Sequence, residues 1–224
     1  MKVVINLKTI SLIYRGIYVL LSGFALLMWL GVIDGTYMLE DVVYYTTQSN
    51  ILCFVYFLIL FFATILNSSN KPVSLFPRFK GAITLCIAVT GILFVVLPGP
   101  SHVSLASGIL HYICPVMVFV DYIIFDTKGH YKKIDPVFWL ALPILYVAFA
   151  LVRGTLGVEI GGTGSKYPYP FLDPTPAGAG NEMFLYIGIM MATFLFLGYI
   201  IYLIDRVLSK KAFVRQPSQH KVNK

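Results

Sequence analysis

Charged residues are scarce in this chain of 224 residues. Asp, Glu, Lys and Arg make up 12% of the sequence and hydrophobic residues 58%, whereas soluble domains carry about 25% charged residues. A compact globule with so little charge could not cover its surface with groups that water solvates. Intrinsic disorder is excluded as well, because it requires low hydrophobicity. The composition therefore predicts an integral membrane protein.

Cysteines and metal-binding patterns are also sparse. The three cysteines, Cys53, Cys86 and Cys114, all lie in apolar runs, and an odd number of such thiols does not indicate a disulfide framework. The HExxH and CxxC spacings of common zinc sites are absent. We therefore expect free core cysteines, no metal and no cofactor. The net charge of +7 is distributed as in a membrane protein, so we expect no nucleic-acid partner.

Long apolar segments make up most of the chain. A helix that spans the ~30 Å hydrocarbon core needs ~20 apolar residues, and backbone amides in lipid must be paired within the segment. Six segments have this length: residues 10–33, 44–66, 80–98, 103–125, 135–153 and 182–208. We predict an all-α bundle of six transmembrane helices over residues 1–209, followed by a basic cytoplasmic tail at 210–224.

Lysine and arginine are distributed unevenly around these segments. Arg153 and Lys166 alone fall in the loops of one side, Arg15 lies within the first segment, and all the others flank the opposite side. Because positive residues are retained in the cytoplasm, we predict a plasma-membrane protein with both termini cytoplasmic, which requires an even number of spans. The first segment is too long for the apolar region of a cleaved signal peptide, so we expect it to remain as an anchor.

The three loops predicted on the outer side differ in character. Residues 34–46 are acidic and rich in tyrosine, and residues 98–100 (Pro-Gly-Pro) form a tight turn. The third loop, about 154–181, is rich in glycine and proline, which prevents regular helix. It contains the sequence YPYPFLD at 167–173. We expect these aromatic rings either to anchor the loop at the interface or to form a lid over the bundle.

Five consecutive polar residues open the second predicted helix: Thr46, Thr47, Gln48, Ser49 and Asn50. Polar side chains are costly inside hydrocarbon, so each is a candidate site residue. One interpretation is a helix start with capping threonines and an interhelical hydrogen bond from Asn50. The alternative is a polar site between the helices.

His111 lies inside the fourth predicted helix, ~12 Å below its outer boundary at ~1.5 Å per residue. A neutral imidazole at this depth needs a partner for its N–H and for its lone pair. A neighbouring helix could supply both partners, which would make His111 structural. Alternatively, His111 is a general base that faces a polar cavity. Metal ligation is disfavoured, because Cys114 at i+3 provides only a second ligand.

Charges and prolines within the predicted helices give further expectations. Arg15 and Asp121 both lie near the predicted cytoplasmic side, and each would otherwise be an uncompensated charge. We therefore predict an interhelical ion pair between them. Pro115 and Pro143 are expected to kink the fourth and fifth helices and to open space between helices.

Arg153 ends the fifth predicted helix on the outer side. We expect it either to bind a carboxylate, that of Asp173, of Glu182 or of a ligand, or to reach the interface. The polar groups at 46–50, His111 and Arg153 all fall in the outer half of the bundle. This asymmetry predicts a pocket that opens outward beneath residues 167–173, with Tyr167 and Asp173 as candidate ligand-binding residues.

Three motifs extend the interpretation to a known family. They are YTTQSNI at 45–51, HYICP at 111–115 followed by Asp121, and Pro143-x-x-Tyr146 followed by Arg153-Gly154 and YPYPFLD at 167–173. Their order and spacing, over nearly the whole chain, resemble the Pr6Pr family of six-helix bacterial membrane proteins. That family has no defined biochemical role.

More distantly, the arrangement is similar to the androgen-induced and androgen-dependent TFPI-regulating proteins. This resemblance implies a membrane enzyme that hydrolyses fatty acid esters of hydroxy fatty acids with a threonine and a histidine. The histidine corresponds to His111, and the threonine to Thr47 or Thr46, depending on the alignment. In such chemistry the imidazole accepts the hydroxyl proton, and Gln48 or Asn50 is a candidate to stabilise the oxyanion.

Two classes of function stay open at the level of the sequence. The first is a membrane-embedded hydrolase of lipid esters that uses Thr47 or Thr46 with His111. The second is a non-catalytic membrane protein that binds a lipid or another small molecule. A transporter is less favoured, because most of the predicted helices lack an intramembrane acid and no internal repeat is visible.

Overall fold

The computed structural model of the protein describes residues 6–96, 103–161, 164–176 and 178–214, with side chains described up to residue 210. Regular structure within these ranges is helical throughout, without a strand. Six of the described helices are long and apolar enough to cross a membrane, which confirms the predicted all-helical class. They are α1 (Leu7–Trp29), α2 (Tyr45–Leu66), α3 (Pro77–Val96), α4 (Leu105–Phe125), α5 (Asp135–Thr155) and α6 (Met183–Val214).

The observed bounds of the helices differ from the predicted segments by a few residues. The largest difference is at the end of α6, which continues to Val214, so that residues 210–214 of the predicted tail are helical. The predicted turn at 98–100 and the tail residues 215–224 lie outside the described residues.

The bundle has two chemically different ends. At one end Arg78 at the start of α3 binds Asp135 at the start of α5, with Nε and Oδ2 2.8 Å apart. At the same end Asp205 of α6 accepts from the backbone N–H of Gly129 in the α4–α5 connection (2.9 Å). We call this the basic end. The opposite end carries the α1–α2 and α5–α6 connections, and we call it the loop end.

Helix α3 lies at the centre of the bundle, between two hydrophobic clusters. Its residues Leu85, Cys86 and Val89 belong to a cluster with α5, α6 and the α5–α6 connection. Its residues Ile83 and Ile87 belong to a second cluster with α1, α2 and α4. The sequence of α3 is mostly apolar on every side. A helix of this kind is expected to be buried, which agrees with its position between the two clusters.

Helix α1 ends in a way that fixes the position of Trp29. Gly31, two residues later, has φ +65°, a left-handed conformation that glycine adopts without strain and that commonly ends helices. A Cβ at Gly31 would also lie 2.1 Å from Oγ1 of Thr36. Trp29 is thereby held at the last turn of α1, where its indole N–H donates to Oγ1 of Thr47 (3.2 Å).

Helix α4 contains an irregular turn around His111. Residues Ile109–Ile113 form a π turn, in which the N–H of Cys114 donates to the carbonyl of Ile109. Pro115 follows directly and has no N–H to donate, so a regular helical bond to the carbonyl of His111 cannot form. Such π turns are frequent at functional sites.

Helix α5 is interrupted as well. Regular helix ends at Trp139 and resumes at Ala141, four and two residues before Pro143. Pro143 cannot donate to the carbonyl of Trp139, four residues earlier, which accounts for the break. The π turn in α4 and the break in α5 therefore lie next to Pro115 and Pro143, where irregular helix was predicted.

A cluster of charges is buried at the basic end of the bundle. Nε of Arg15 lies 2.8 Å from Oδ1 of Asp121, and both side chains are fully buried. Arg15 Nη1 also donates to Oγ1 of Thr64 (3.0 Å) and to the carbonyl of Val73 (2.9 Å). The predicted partners are thus in contact, and Arg15 ties α1 to α2, α4 and the α2–α3 connection.

Lys80 belongs to the same cluster, which the sequence did not indicate. The distribution of charges assigned Lys80 to the exposed basic side, but its side chain is fully buried and contacts the carboxylates of Asp121 and Asp126. The Lys80 ammonium lies 2.8 Å from Oδ1 of Asp126. Two cations and two carboxylates therefore neutralise each other between α1, α3 and α4.

Replacing Asp121 tests how strongly this cluster stabilises the fold. For Asp121→Asn we expect the free energy of unfolding to fall by about 3 kcal/mol, because removing one partner leaves a buried charge uncompensated. The double variant Lys80→Met/Asp121→Asn removes one charge of each sign and should be more stable than Asp121→Asn alone. Chemical unfolding in detergent micelles measures both. Asp34→Asn, at an exposed position, is the control and should lower the free energy of unfolding by less than about 0.5 kcal/mol. If Asp121→Asn were as stable as the wild type, the charges would not be coupled in this way.

The close approach of α3 to the π turn is tested at Gly91. A Cβ there would lie 3.0 Å from Cβ and Cγ of Pro115 and 3.2 Å from the carbonyl oxygen of His111. Because a proline ring and a helix backbone are stiff, we expect Gly91→Ala to destabilise the protein by about 1–2 kcal/mol. Gly188→Ala in α6, where nothing lies within 4 Å, should be neutral or stabilising by up to about 1 kcal/mol. Equal unfolding midpoints for the two variants would show that α3 is not packed this tightly.

Candidate functional site

A cavity of about 540 Å³ opens at the loop end, with walls from all six helices and from the α1–α2 and α5–α6 connections. Seven of its lining residues are aromatic: Trp29, Tyr44, Tyr45, Phe94, Tyr146, Tyr169 and Phe171. Five further lining residues are polar: Asp41, Thr46, Ser104, Ser107 and His111. A large apolar cavity with a few polar groups is typical of a binding site for a small molecule.

His111 lines this cavity from the π turn of α4. Its Nδ1 lies 2.9 Å from the carbonyl oxygen of Ser107, one turn earlier, and 3.3 Å from the Ser107 hydroxyl. Since a carbonyl can only accept, Nδ1 carries the proton and Nε2 the lone pair in the neutral ring. Nε2 has no hydrogen-bond partner among the described residues. The π turn therefore fixes the tautomer that leaves Nε2 available as an acceptor or base.

The plane of the His111 ring is held by two aromatic neighbours. Phe94 of α3 stacks on the imidazole, with ring centroids 4.1 Å apart and planes inclined by 21°. Trp29 of α1 meets it edge-on, with centroids 6.0 Å apart. His111 also lines a second cavity of about 540 Å³, which is almost entirely apolar and lies between α3, α4 and α6. The histidine thus stands between two cavities.

The two candidate threonines have different surroundings. Thr46 lines the cavity together with His111, whereas Thr47 is buried outside its lining and accepts from Trp29 (3.2 Å). Neither hydroxyl is hydrogen-bonded to His111. The structure therefore brings Thr46, and not Thr47, into the same cavity as the imidazole.

The other polar residues at the start of α2 mainly stabilise that helix. Gln48 Nε2 donates to the carbonyl of Val42 (3.1 Å), and Gln48 lines a smaller cavity away from His111. Asn50 Nδ2 donates to the carbonyl of Thr46 (2.8 Å). The Ser49 hydroxyl lies 2.8 Å from that of Thr90 and so links α2 to α3. Neither amide lines the cavity that contains His111.

Arg153 has a structural environment that differs from the expected one. Its guanidinium donates to three backbone carbonyls of the α5–α6 connection, those of Val158 (2.9 Å), Glu159 (3.1 Å) and Lys166 (3.2 Å). No carboxylate of the described residues lies within ion-pair distance of it. Arg153 therefore organises the connection instead of facing a ligand.

The remaining predicted ligand-binding residues also shape the connection. Tyr167 packs on Gly154 of α5, so closely that a Cβ on Gly154 would lie 2.1 Å from the ring. Asp173 Oδ1 accepts from the N–H of Thr175 (2.9 Å), which forms a local turn. Glu182, the other expected partner of Arg153, accepts from the Tyr186 hydroxyl (2.9 Å). Neither Tyr167 nor Asp173 lines the cavity.

Tyr169 is a site residue that the sequence did not single out from its neighbours. Burial raises the pKa of Tyr169 to about 12, although hydrogen bonds from the side chain and backbone of Thr46 and from the backbone of Tyr45 act in the opposite direction. The phenol is therefore protonated at neutral pH. It lies over the first turn of α2, where backbone N–H groups lack partners within the helix, and it joins the connection to Thr46.

Three other residues that line the cavity could not be identified as site residues from the sequence. Trp29 and Phe94 are aromatic residues in apolar helices, where most such residues simply pack. Asp41 lies in the 3-10 segment Leu39–Val43, in a loop whose acidic residues looked equivalent. Among the described residues no group of three His, Cys, Asp or Glu side chains is placed to hold a metal ion.

Comparisons with known proteins identify no relative of this chain. No protein-family model, no curated protein and no solved structure matches the chain. The function is therefore inferred from the cavity and its residues.

Proposed function

We propose that this chain is a multi-pass membrane protein of the plasma membrane, with both termini cytoplasmic, which binds an amphipathic, lipid-like molecule in the loop-end cavity. The six apolar helices support membrane insertion. So does the surface of the bundle, where large side chains such as Leu20, Leu66 and Leu145 are mostly exposed. The excess of Lys and Arg at the basic end supports the orientation.

The binding proposal rests on the contrast between the apolar walls of the cavity and its few polar side chains. Its walls are largely aromatic and aliphatic, and the polar side chains of Asp41, Thr46 and His111 converge on it. Such a lining suits a molecule with one polar part and a larger apolar part. A ligand of this kind is abundant at the membrane surface, close to which the loop end would lie.

The second cavity offers apolar space next to the first. It lies between α3, α4 and α6 and shares His111 with the first. Its other lining residues include Val95, Val116 and Ile200, which are apolar and exposed on the outside of the bundle. An acyl chain in the second cavity would therefore contact His111 and side chains that face the bilayer.

Ester hydrolysis is a second candidate function, and the tautomer of His111 favours it. With Nδ1–H bound to the Ser107 carbonyl, Nε2 has the lone pair that a general base needs. Thr46 lines the same cavity and supplies a hydroxyl. The more distant resemblance to the androgen-regulated membrane hydrolases is consistent with this role. In this second candidate function, Thr46 is the nucleophile and His111 is the general base.

Binding is tested by the fluorescence of Trp29. The chain has two tryptophans, and Trp139 lies at the basic end, where it donates to the carbonyl of Arg78 (2.8 Å). In a Trp139→Phe background, Trp29 reports on the cavity alone. We expect a doxyl-labelled fatty acid methyl ester, a neutral amphiphile, to quench Trp29 saturably in nanodiscs, because the label reaches the cavity.

Two matched variants on α5 separate the cavity from the bulk lipid. Val147→Phe fills the cavity that Val147 lines and should reduce the saturable quenching about twofold or more. Val152→Phe makes the same change at an exposed position of the same helix and should leave the quenching unchanged. Equal quenching in the two variants would mean that the probe reaches Trp29 from the bilayer, and the binding proposal would fail.

Hydrolysis is tested by the release of fatty acid from a neutral lipid ester. We expect Thr46→Val and His111→Gln each to lower the rate by about 100-fold or more, because they remove the nucleophile and the base. Thr47→Val tests the alternative threonine, and Thr193→Val on α6, which does not line the cavity, is the matched control. A rate that depends on Thr47 instead, or on neither Thr46 nor Thr47, would refute the assignment of Thr46.

A further inference from the structure

The charge of the loop-end cavity restricts the ligand that it can hold. Among the described residues that line it, Asp41 is the single acidic residue, and no lysine or arginine is present. His111 is the one other titratable group besides the tyrosines. A ligand in this cavity therefore meets one carboxylate and no permanent positive charge.

Asp41 itself lacks a cationic partner within the described part of the chain. Its side chain is partly buried, and no ion pair involves it. Arg153, the basic residue at the loop end of α5, is already bound to three carbonyls. Burial and, to a smaller extent, the neighbouring carboxylate of Glu40 raise the pKa of Asp41 above its ordinary value. A cation bound beside Asp41 would compensate both effects.

The aromatic residues of the cavity are arranged as a connected group of rings. Tyr169 meets Tyr44 edge-on with centroids 5.7 Å apart and stacks on Phe171 at 5.2 Å. Tyr146 lies 5.1 Å from Tyr45 and 6.4 Å from Tyr169. The faces of such rings attract ammonium groups, and rings combined with a carboxylate are a common way to bind them.

We propose that the loop-end cavity binds the ammonium group of an alkylammonium amphiphile, with Asp41 as its counter-charge and the rings of the tyrosines and of Phe171 around it. The inference rests on the proposed binding function and names the class of ligand. The apolar part of the molecule lies against Leu93, Val147 and Met190, which also line the cavity. The anion of a fatty acid is disfavoured, because Asp41 repels it and Arg153 does not face the cavity.

The test compares two probes of equal chain length by the fluorescence of Trp29 in the Trp139→Phe background. Octyltrimethylammonium carries the proposed cation, and octanoate carries the opposite charge. We expect the cation to bind at least about tenfold more tightly than octanoate, as expected for one charge-assisted contact. Tighter or equal binding of octanoate would overturn the proposal.

Two acidic neighbours provide the matched variants. Asp41→Asn removes the charge that lines the cavity, and we expect it to weaken octyltrimethylammonium at least about tenfold without weakening octanoate. Glu40→Gln removes the same charge from the adjacent residue, which does not line the cavity, and should change the affinity less than about twofold. Equal effects of the two variants would show that only the general acidity of the loop matters, and the assignment of Asp41 would be wrong.

A third variant keeps the proposal testable if Asp41→Asn does not fold. Phe171→Leu removes a ring but keeps an apolar side chain, and it should weaken octyltrimethylammonium about threefold or more while leaving the neutral probe 1-octanol unaffected. Equal losses for both probes would contradict a role of the ring in cation binding.

The neutral probe also separates this inference from the proposed function. If 1-octanol and octyltrimethylammonium bind equally well, the cavity binds amphiphiles but has no preference for a cation. If neither these probes nor the doxyl-labelled ester changes the fluorescence of Trp29, both proposals fail. Nanodiscs of phosphatidylcholine and of phosphatidylglycerol distinguish the source of the ammonium group, because a choline headgroup that occupies the cavity would compete with the probe in the first and not in the second.

Discussion

The constraint on which this structure depends is that a polar group inside an apolar bundle must find a partner. At the basic end four charged side chains meet this constraint for one another, although Oδ1 of Asp205 and Oγ of Ser74 are buried there without a hydrogen-bond partner among the described residues. Arg15 and Lys80 share the carboxylates of Asp121 and Asp126, and the arginine also binds Thr64 and a loop carbonyl. This cluster joins three helices and a connection at one point, and it leaves no charge free to serve a ligand.

At the loop end the same constraint is met only in part. The π turn gives Nδ1 of His111 a carbonyl partner and leaves Nε2 without one in the described structure. Asn50 uses its amide N–H₂ on Thr46, and its Oδ1 is buried without a hydrogen-bond partner among those residues. Asp41 has no cation. Asn50 does not line the cavity, but His111 and Asp41 do, and their missing partners are what a binding site requires, because a ligand can supply them.

Much of the fold could be predicted from the sequence, and the site only in part. Six apolar segments determine six helices, since no other regular structure pairs its backbone so fully within one segment. The pair of Arg15 and Asp121 could be predicted from depth alone, because both lie near one side. The burial of Lys80 could not, since a lysine near the end of a helix usually reaches solvent. The choice of Thr46 over Thr47 for the cavity depends on the rotation of α2, which sequence spacing does not fix.

Arg153 and Asp41 show why charge in a loop is hard to interpret from sequence. A guanidinium at a helix end can bind a carboxylate or reach the interface, and the sequence left both open for Arg153. A long connection rich in glycine also offers unpaired carbonyls, and Arg153 donates to three of these. Asp41 was one of several acids in a short loop, and only the fold shows that it alone lines the cavity. The cavity presents a carboxylate among aromatic rings and no arginine. Under the proposed ligand class, a substrate of any hydrolytic activity here would have to carry a cationic or neutral polar group to fit it.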